Sequence, residues 1–187
     1  MRPVPIEASD EDLYRLMRNG NPDAFAQLYE RRAPALHRFA LHMTGNPAIS
    51  EEISHEVFIQ LMGPTSHFDE TRGSLESFLY GIARNLIRVF RRQGPVAEPV
   101  ETSFNPDLLG ELIGNETSQM LHRTLRDLPE RYRDVIVLCE LEERSYEDVA
   151  TILGCPIGTV RSRLHRARAL LSAKLKRLHT ASEVISA

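Results

Sequence analysis

Apolar residues recur at three- and four-residue intervals along most of the chain, and no stretch alternates in the two-residue rhythm of a half-buried strand. The pattern predicts an all-α protein. Ser9 stands as a cap before a first helix reaching Arg18, with Asp10, Glu11 and Asp12 beside the exposed N–H groups of its first turn. Asn21 and Pro22 open a long second helix whose apolar set is Phe25, Leu28, Tyr29, Leu36, Phe39, Ala40 and Met43. Pro34 lies inside that run and is expected to kink or split it. A third helix runs from about Pro47 to Met62, with Ile49, Ile53, Val57, Ile59 and Leu61 mostly inward. The segment Gly63 to Gly73 has no apolar period and reads as a loop. Ser74 caps a fourth helix with a stripe of Leu75, Phe78, Leu79, Ile82, Ala83, Leu86 and Phe90, which closes on Arg91 and Arg92 before Gly94 and Pro95.

The rhythm then breaks. Residues 94–115 carry Pro95, Pro99 and Pro106 and the acids Glu98, Glu101, Asp107 and Glu111, and they read as a flexible linker; Leu108, Leu109, Leu112 and Ile113 mark a short helical turn within it. The expected organisation is therefore two small helical domains, 1–93 and 116–187, joined by the linker 94–115. In the second block, Leu121, Leu125 and Leu128 mark one helix, and Tyr132, Val135, Ile136, Cys139 and Leu141 the next. Residues 145–171, SYEDVATILGCPIGTVRSRLHRARALL, follow. Ser145 with Asp148 resembles a capping box, Val149, Ala150, Ile152 and Leu153 supply one face of a short helix, and Gly154-Cys155-Pro156 makes a tight corner into a longer one. That is a helix-turn-helix.

At 187 residues the chain is long enough for two such domains, and 42% apolar with 26% charged residues is the composition of a folded protein. No run approaches the roughly 20 apolar residues of a bilayer span, and no apolar signal segment follows Met1 to Pro5, so a cytoplasmic location without membrane insertion is expected. Cys139 and Cys155 are too few and too far apart for a disulfide scaffold or zinc knuckle. Glu52 and His55 have a loose metal spacing with no second ligand pair, so neither a metal nor another cofactor is expected. No catalytic signature of phosphate-loop, zinc-protease or serine-elbow type is present, which speaks against an enzyme.

The net charge of −3 is unevenly spread. Arg161, Arg163, Arg166, Arg168, Lys174, Lys176 and Arg177 crowd the last helix without an acid among them, the footprint of a polyanion site. Val160, Leu164, Ala167, Leu171, Leu175 and Leu178 form its buried stripe. Residues 158–165, near its start, are placed to approach bases through Arg161, Arg163 and His165, with Thr159 and Ser162 able to take either a base or a phosphate. The later basic residues, among them Arg168, Lys174 and Lys176, are placed to hold the backbone. In the first block, Glu51, Glu52, His55 and Glu56 give one helix an acidic face that repels DNA and either seats a protein or meets solvent. Around the loop, Phe68, Phe78, Tyr80, Arg84, Asn85 and Arg88 mix aromatic rings with positive charge, as single-strand binders do, although the rings serve a core equally well.

Together these residues resemble the sigma factors of bacterial RNA polymerase, of the small two-domain extracytoplasmic-function (ECF) type. The likeness covers about Gly20 to Leu178. Residues 125–138 with the helix-turn-helix resemble the family's region four; EVFIQL (residues 56–61), FDETRGSLESFLYGIARNLI (residues 68–87) and Arg91-Arg92 resemble region two. The resemblance implies a promoter-specificity subunit. Glu51, Glu52, His55, Glu56 and Gln60 would dock on the clamp of the polymerase's largest subunit. The loop with His67 and Phe68 would capture an unstacked base of the −10 element, and Tyr80, Arg84, Asn85 and Arg88 would line the melted strand. Thr159, Arg161, Ser162, Arg163, His165 and Arg166 would read the −35 element, while the outer surface of that domain sits on the flap of the second-largest subunit. An anti-sigma factor is a further expected partner. The chain departs from the family at Met62 and Phe78, where tryptophans are usual, at His55, where glutamine is frequent, and in its Gly63-Pro64 pair; its −10 preference does not carry over from relatives.

Overall fold

The computed structural model describes residues 8–64, 66–92 and 115–185. The expected linker lies outside the described residues except for Asn115, and so do Leu108, Leu109, Leu112 and Ile113.

Four helices form the N-terminal bundle: α1 (Asp10–Arg18), α2 (Pro22–Thr44), α3 (Pro47–Met62) and α4 (Leu75–Arg92). Side chains cap each start. Ser9 Oγ accepts from the Asp12 amide at 3.1 Å while the Asp12 carboxylate accepts from the Ser9 amide at 3.3 Å, a full capping box. Asn21 accepts from the amides of Asp23 and Ala24, Asn46 from that of Ile49, and Ser74 from that of Ser77. Gly45, at φ +69°, ends α2 in the left-handed conformation that a side chain resists. Leu28, Leu36, Phe39, Ile53, Val57, Phe58, Leu61, Leu75, Leu79 and Ile87 fill the space between the helices.

Two expectations are corrected here. Pro34 does not split α2, which runs unbroken through it. Pro34 and Glu30 both lie on the exposed face, where water can take the carbonyl that proline's missing N–H leaves unpaired. Ile59 does not face inward; it is 57% exposed. It falls seven residues after Glu52 and four after His55, on the outer stripe of α3.

The C-terminal bundle comprises α5 (Asn115–Arg126), α6 (Glu130–Ile136), α7 (Tyr146–Leu153) and α8 (Ile157–Ile185). α6 runs into a wider, π-helical turn over Val137–Leu141, sealed by the Glu142 amide donating to the Val137 carbonyl at 2.9 Å. Leu125, Leu128, Val135, Leu138, Val149, Val160, Leu164 and Ala167 are buried between these helices. Gly154, at φ +61°, makes the corner between α7 and α8.

The two bundles pack on one another, α4 against α7, and α2 against α5 and the π-helical turn. The C-terminal end of α2 is tied into this seam. The Met43 carbonyl accepts from Arg91 of α4 at 2.6 Å and from Arg133 of α6 at 3.4 Å, cations placed where a helix dipole favours them.

Candidate nucleic-acid interface

The turn before α8 positions the residues expected to meet duplex DNA. Ser145 Oγ accepts from the Asp148 amide at 3.0 Å, which starts α7. Val149 and Ile152 anchor α7, and Val160, Leu164 and Ala167 anchor α8 on the same core. With those positions inward, Arg161, Ser162, His165 and Arg166 are exposed and Thr159 is half-exposed. Arg163 is half-buried, its guanidinium 4.0 Å from Cys155 Sγ. Arg161 lies 5.9 Å from the centre of the Tyr146 ring, a contact that helps hold its fork at the rim of α7. The structure therefore brings all six expected −35 residues to the start of one helix.

The expected phosphate ligands follow along α8. Arg168 pairs with Glu140 at 2.5 Å, and this acid pushes the affinity of its guanidinium for the proton further up. Lys174 pairs with Asp127 at 3.3 Å. Lys176 is exposed. Both pairs are solvent-accessible, so each adds little to stability.

In the N-terminal bundle, Asp69 accepts from the Thr71 amide and starts a single turn, Glu70–Arg72, which folds the end of the loop back onto α4. Phe68 packs edge-on against Tyr14 with ring centres 5.6 Å apart and lies 5.6 Å from Phe78. Behind it opens a cavity of about 340 Å³ lined by His67, Phe68, Phe78, Ile82 and Asn85, with Thr151 and Ile152 of α7 on its far wall. His67, Phe68 and Asn85 thus meet around one space. Tyr80, Arg84 and Arg88 do not join them. Tyr80 is fully buried and donates to Glu142 at 3.1 Å, and burial together with that carboxylate drives its phenol pKa upward. Arg84 donates to the buried Asp134 at 2.7 Å, and Arg88 pairs with Glu130 at 3.1 Å.

Glu51, Glu52, His55 and Gln60 are exposed on α3 and Glu56 half-exposed, with Gln60 donating to Glu56 at 3.1 Å. His55 stacks on Tyr29. The structure adds Ile59 and Met62 to this face, exposed by 57% and 48%. The acidic surface is therefore part apolar, a mixture suited to burial against a protein. Counting Ile59 with Glu52 at helical spacing, rather than with the apolar run around it, would have found this in the sequence.

Region 2 of the sigma-70 family matches residues 28–95, and region 4 matches residues 118–171. The chain is 31% identical over 176 residues to the ECF RNA polymerase sigma factor SigE of Mycolicibacterium smegmatis, covering 87% of this chain and 68% of that one. It belongs to the ECF sigma factors. It is also 29% identical over 177 residues to SigW of Bacillus subtilis, covering 87% of this chain and 94% of SigW. Among solved structures, CnrH in complex with the cytosolic domain of CnrY matches with a TM-score of 0.71 at 27% identity, over 90% of this chain and 97% of that one. The sigma factor RpoE of Bartonella quintana in complex with the anti-sigma factor NepR matches with a TM-score of 0.67 at 27% identity, over 81% and 96%.

As an ECF sigma factor the protein is a non-catalytic subunit that binds RNA polymerase and directs it to promoters. Among the described residues no helix is long and apolar enough to cross a membrane, and no group of histidine, cysteine, aspartate and glutamate is disposed to hold a metal. Cys139 and Cys155 are half-buried free thiols, and burial pushes that of Cys139 up to about 11, away from thiolate chemistry.

Proposed function

We propose that this sigma factor works in the cytoplasm as two domains, 1–93 and 116–187, on either side of the linker 94–115, each holding one promoter element against the polymerase. The start of α8 reads the −35 element as duplex, with Thr159, Arg161, Ser162, Arg163, His165 and Arg166 in the major groove and Arg168, Lys174 and Lys176 on phosphates. The cavity behind Phe68 takes an unstacked base of the −10 element, with His67 at its rim and Asn85 on its wall. Tyr80, Arg84 and Arg88 hold the strand that leaves it. The α3 face of Glu51, Glu52, His55, Glu56 and Gln60, with Ile59 and Met62 added, docks on the clamp of the largest polymerase subunit, and the C-terminal domain rests on the flap of the second-largest.

The observation that carries this reading is the joint exposure of Arg161, Ser162, His165 and Arg166 on a helix whose Val160, Leu164 and Ala167 are locked in a core. A rigid helix presenting arginine forks at its N-terminal end is the geometry of groove reading. The test is run-off transcription by core polymerase reconstituted with this chain on a promoter library randomised at −35 and −10. Enrichment of two spaced elements is expected; transcription independent of one of them would remove the corresponding domain from the reading. An anti-sigma factor is the further partner proposed, because CnrH and RpoE were captured with CnrY and NepR. A protein co-purifying with this chain and inhibiting that transcription is expected.

A further inference from the structure

Helix α1 precedes residues 28–95, the part that region 2 of the family matches, and it touches the loop after α3 at both ends and in the middle. Arg18 Nη1 donates to the Gly63 carbonyl at 3.0 Å and to the Met62 carbonyl at 3.4 Å, where the chain leaves α3. The Tyr14 hydroxyl donates to the Ser66 carbonyl at 3.4 Å, and its ring packs edge-on with Phe68. Arg15 Nε lies 3.5 Å from the carboxylate of Glu70, in the single turn near the end of the loop. Glu11 accepts at 3.0 Å from the Leu75 amide, one of the N–H groups that the start of α4 leaves without a helical partner. Residues 11, 14, 15 and 18 stand at helical spacing, so all of these contacts come from one face of α1. We propose that α1 is the positioning element of −10 recognition: it holds the loop in one shape around the Phe68 cavity and thereby sets which unstacked base that cavity prefers. This rests on the assignment of the loop and cavity to the −10 element.

The neighbouring face of α1 is fixed to the bundle. Leu13 is fully buried, and the buried Asp10 accepts from Arg31 at 2.8 Å and from Arg32, both of α2. The loop has no such anchorage of its own: none of its described residues from Gly63 to Gly73 is buried, and Phe68 is its one large apolar side chain. Burial therefore does little to fix its path, and polar contacts from a rigid helix do the rest. The Arg15–Glu70 pair is exposed at both ends and adds little. Arg18, Tyr14 and Glu11 instead bond to backbone atoms, so they fix the course of the chain rather than one side chain on it. A loop whose path is set before the base arrives loses less conformational entropy on binding, and a displacement of about 1 Å at a reading residue is enough to alter selection.

The test is run-off transcription by core polymerase reconstituted with the full chain, on a promoter library randomised at −10 and −35. Sequences are ranked within each holoenzyme, so that differences in its amount cancel. With Tyr14→Phe and Arg18→Met together, the preference for the favoured base at the captured position is expected to fall about tenfold while the −35 ranking is unchanged. Tyr14→Phe keeps the ring against Phe68, Arg18→Met keeps the length of an exposed side chain, and circular dichroism with urea denaturation checks the fold. Both carbonyls take their hydrogen bonds from one nitrogen of Arg18, so an ammonium can stand in for it. Tyr14→Phe with Arg18→Lys is therefore expected to recover most of the preference. Amide hydrogen exchange of residues 66–73, followed by mass spectrometry on the free chain, is expected to quicken with Arg18→Met and not with Arg18→Lys. A loss spread equally over all −10 sequences, or no recovery with Arg18→Lys, overturns the proposal, because α1 is then a structural support only. Phe68→Ala separates the positioning role from the base capture beneath it. If Phe68→Ala flattens the −10 ranking and the α1 substitutions do not, the positioning role falls and base capture stands. If Phe68→Ala leaves the ranking intact, the loop is not the −10 site and both fall.

Discussion

Arg161 and Lys176 sit on the same helix, and the proposed function gives them different work. Arg161 projects from the first turns of α8 beside Tyr146, whereas Lys176 lies about four turns further on, away from the corner that would sit in the groove. Replacing Arg161 or Arg163 with alanine is expected to relax the choice of −35 sequence, at about 1–3 kcal/mol for each bidentate pairing with a base that is removed. Replacing Lys176 is expected to weaken all −35 sequences alike and to lower the salt slope by about one unit. Run-off transcription on templates varied at −35, at several salt concentrations, distinguishes the two; reordering by the Lys176 variant would reverse the assigned reading face. The arginines at the start of α8 were legible in the sequence because exposure there follows from a clean apolar stripe. Tyr80 was not so legible. Its partner Glu142 is 62 residues away, and helical spacing says nothing about a contact made across two bundles.

Among the elements, the most legible are those whose signals are local. Ser9, Asn21, Ser74 and Ser145 cap the helices that the sequence placed behind them, and Gly154 turns the corner before α8. The π-helical turn after α6 was not legible. Val135, Ile136, Val137 and Leu138 are all buried, because α6 is covered by its own bundle on one side and approached by the N-terminal bundle on the other, so the run has no period to read. Pro34 misled for the opposite reason: the backbone rule is local, but its cost depends on whether water reaches the freed carbonyl. The helix-turn-helix itself hangs on Leu164, a buried residue of α8, the helix that packs on both α6 and α7. Leu164→Ala is expected to destabilise the C-terminal bundle by about 2–5 kcal/mol by leaving a cavity, and Ser145→Ala by about 1 kcal/mol by uncapping α7. Urea denaturation followed by circular dichroism measures both. A Leu164→Ala chain as stable as the original would mean that α8 does not rely on this core.

Across the whole molecule, the seam between bundles carries a pH dependence that neither bundle has alone. His42 of α2 stacks on His122 of α5 with ring centres 5.1 Å apart, and His42 Nε2 lies 3.9 Å from Glu142. Burial, then the neighbouring His122 and Arg38, depress the His42 pKa to about 4, and burial with Arg126 lowers that of His122. A histidine held neutral in the fold titrates near 6.5 once unfolded, so its contribution is present above that value and is lost as the pH falls toward 4. For His42 the loss between pH 7 and pH 5 amounts to about 2 kcal/mol. Glu142 and Asp134 act in the other direction, since their raised proton affinity favours the fold below the ordinary carboxylate range and is withdrawn as the pH rises. The two effects are separated by His42→Phe, which keeps a ring against His122 and removes the titration. The stability lost between pH 7 and pH 5 is expected to be smaller in this variant than in the original chain by about 2 kcal/mol, measured by urea denaturation at the two values. Identical losses in the two chains would mean that His42 is solvated in solution, and the seam between α2 and α5 would then have to be open at neutral pH.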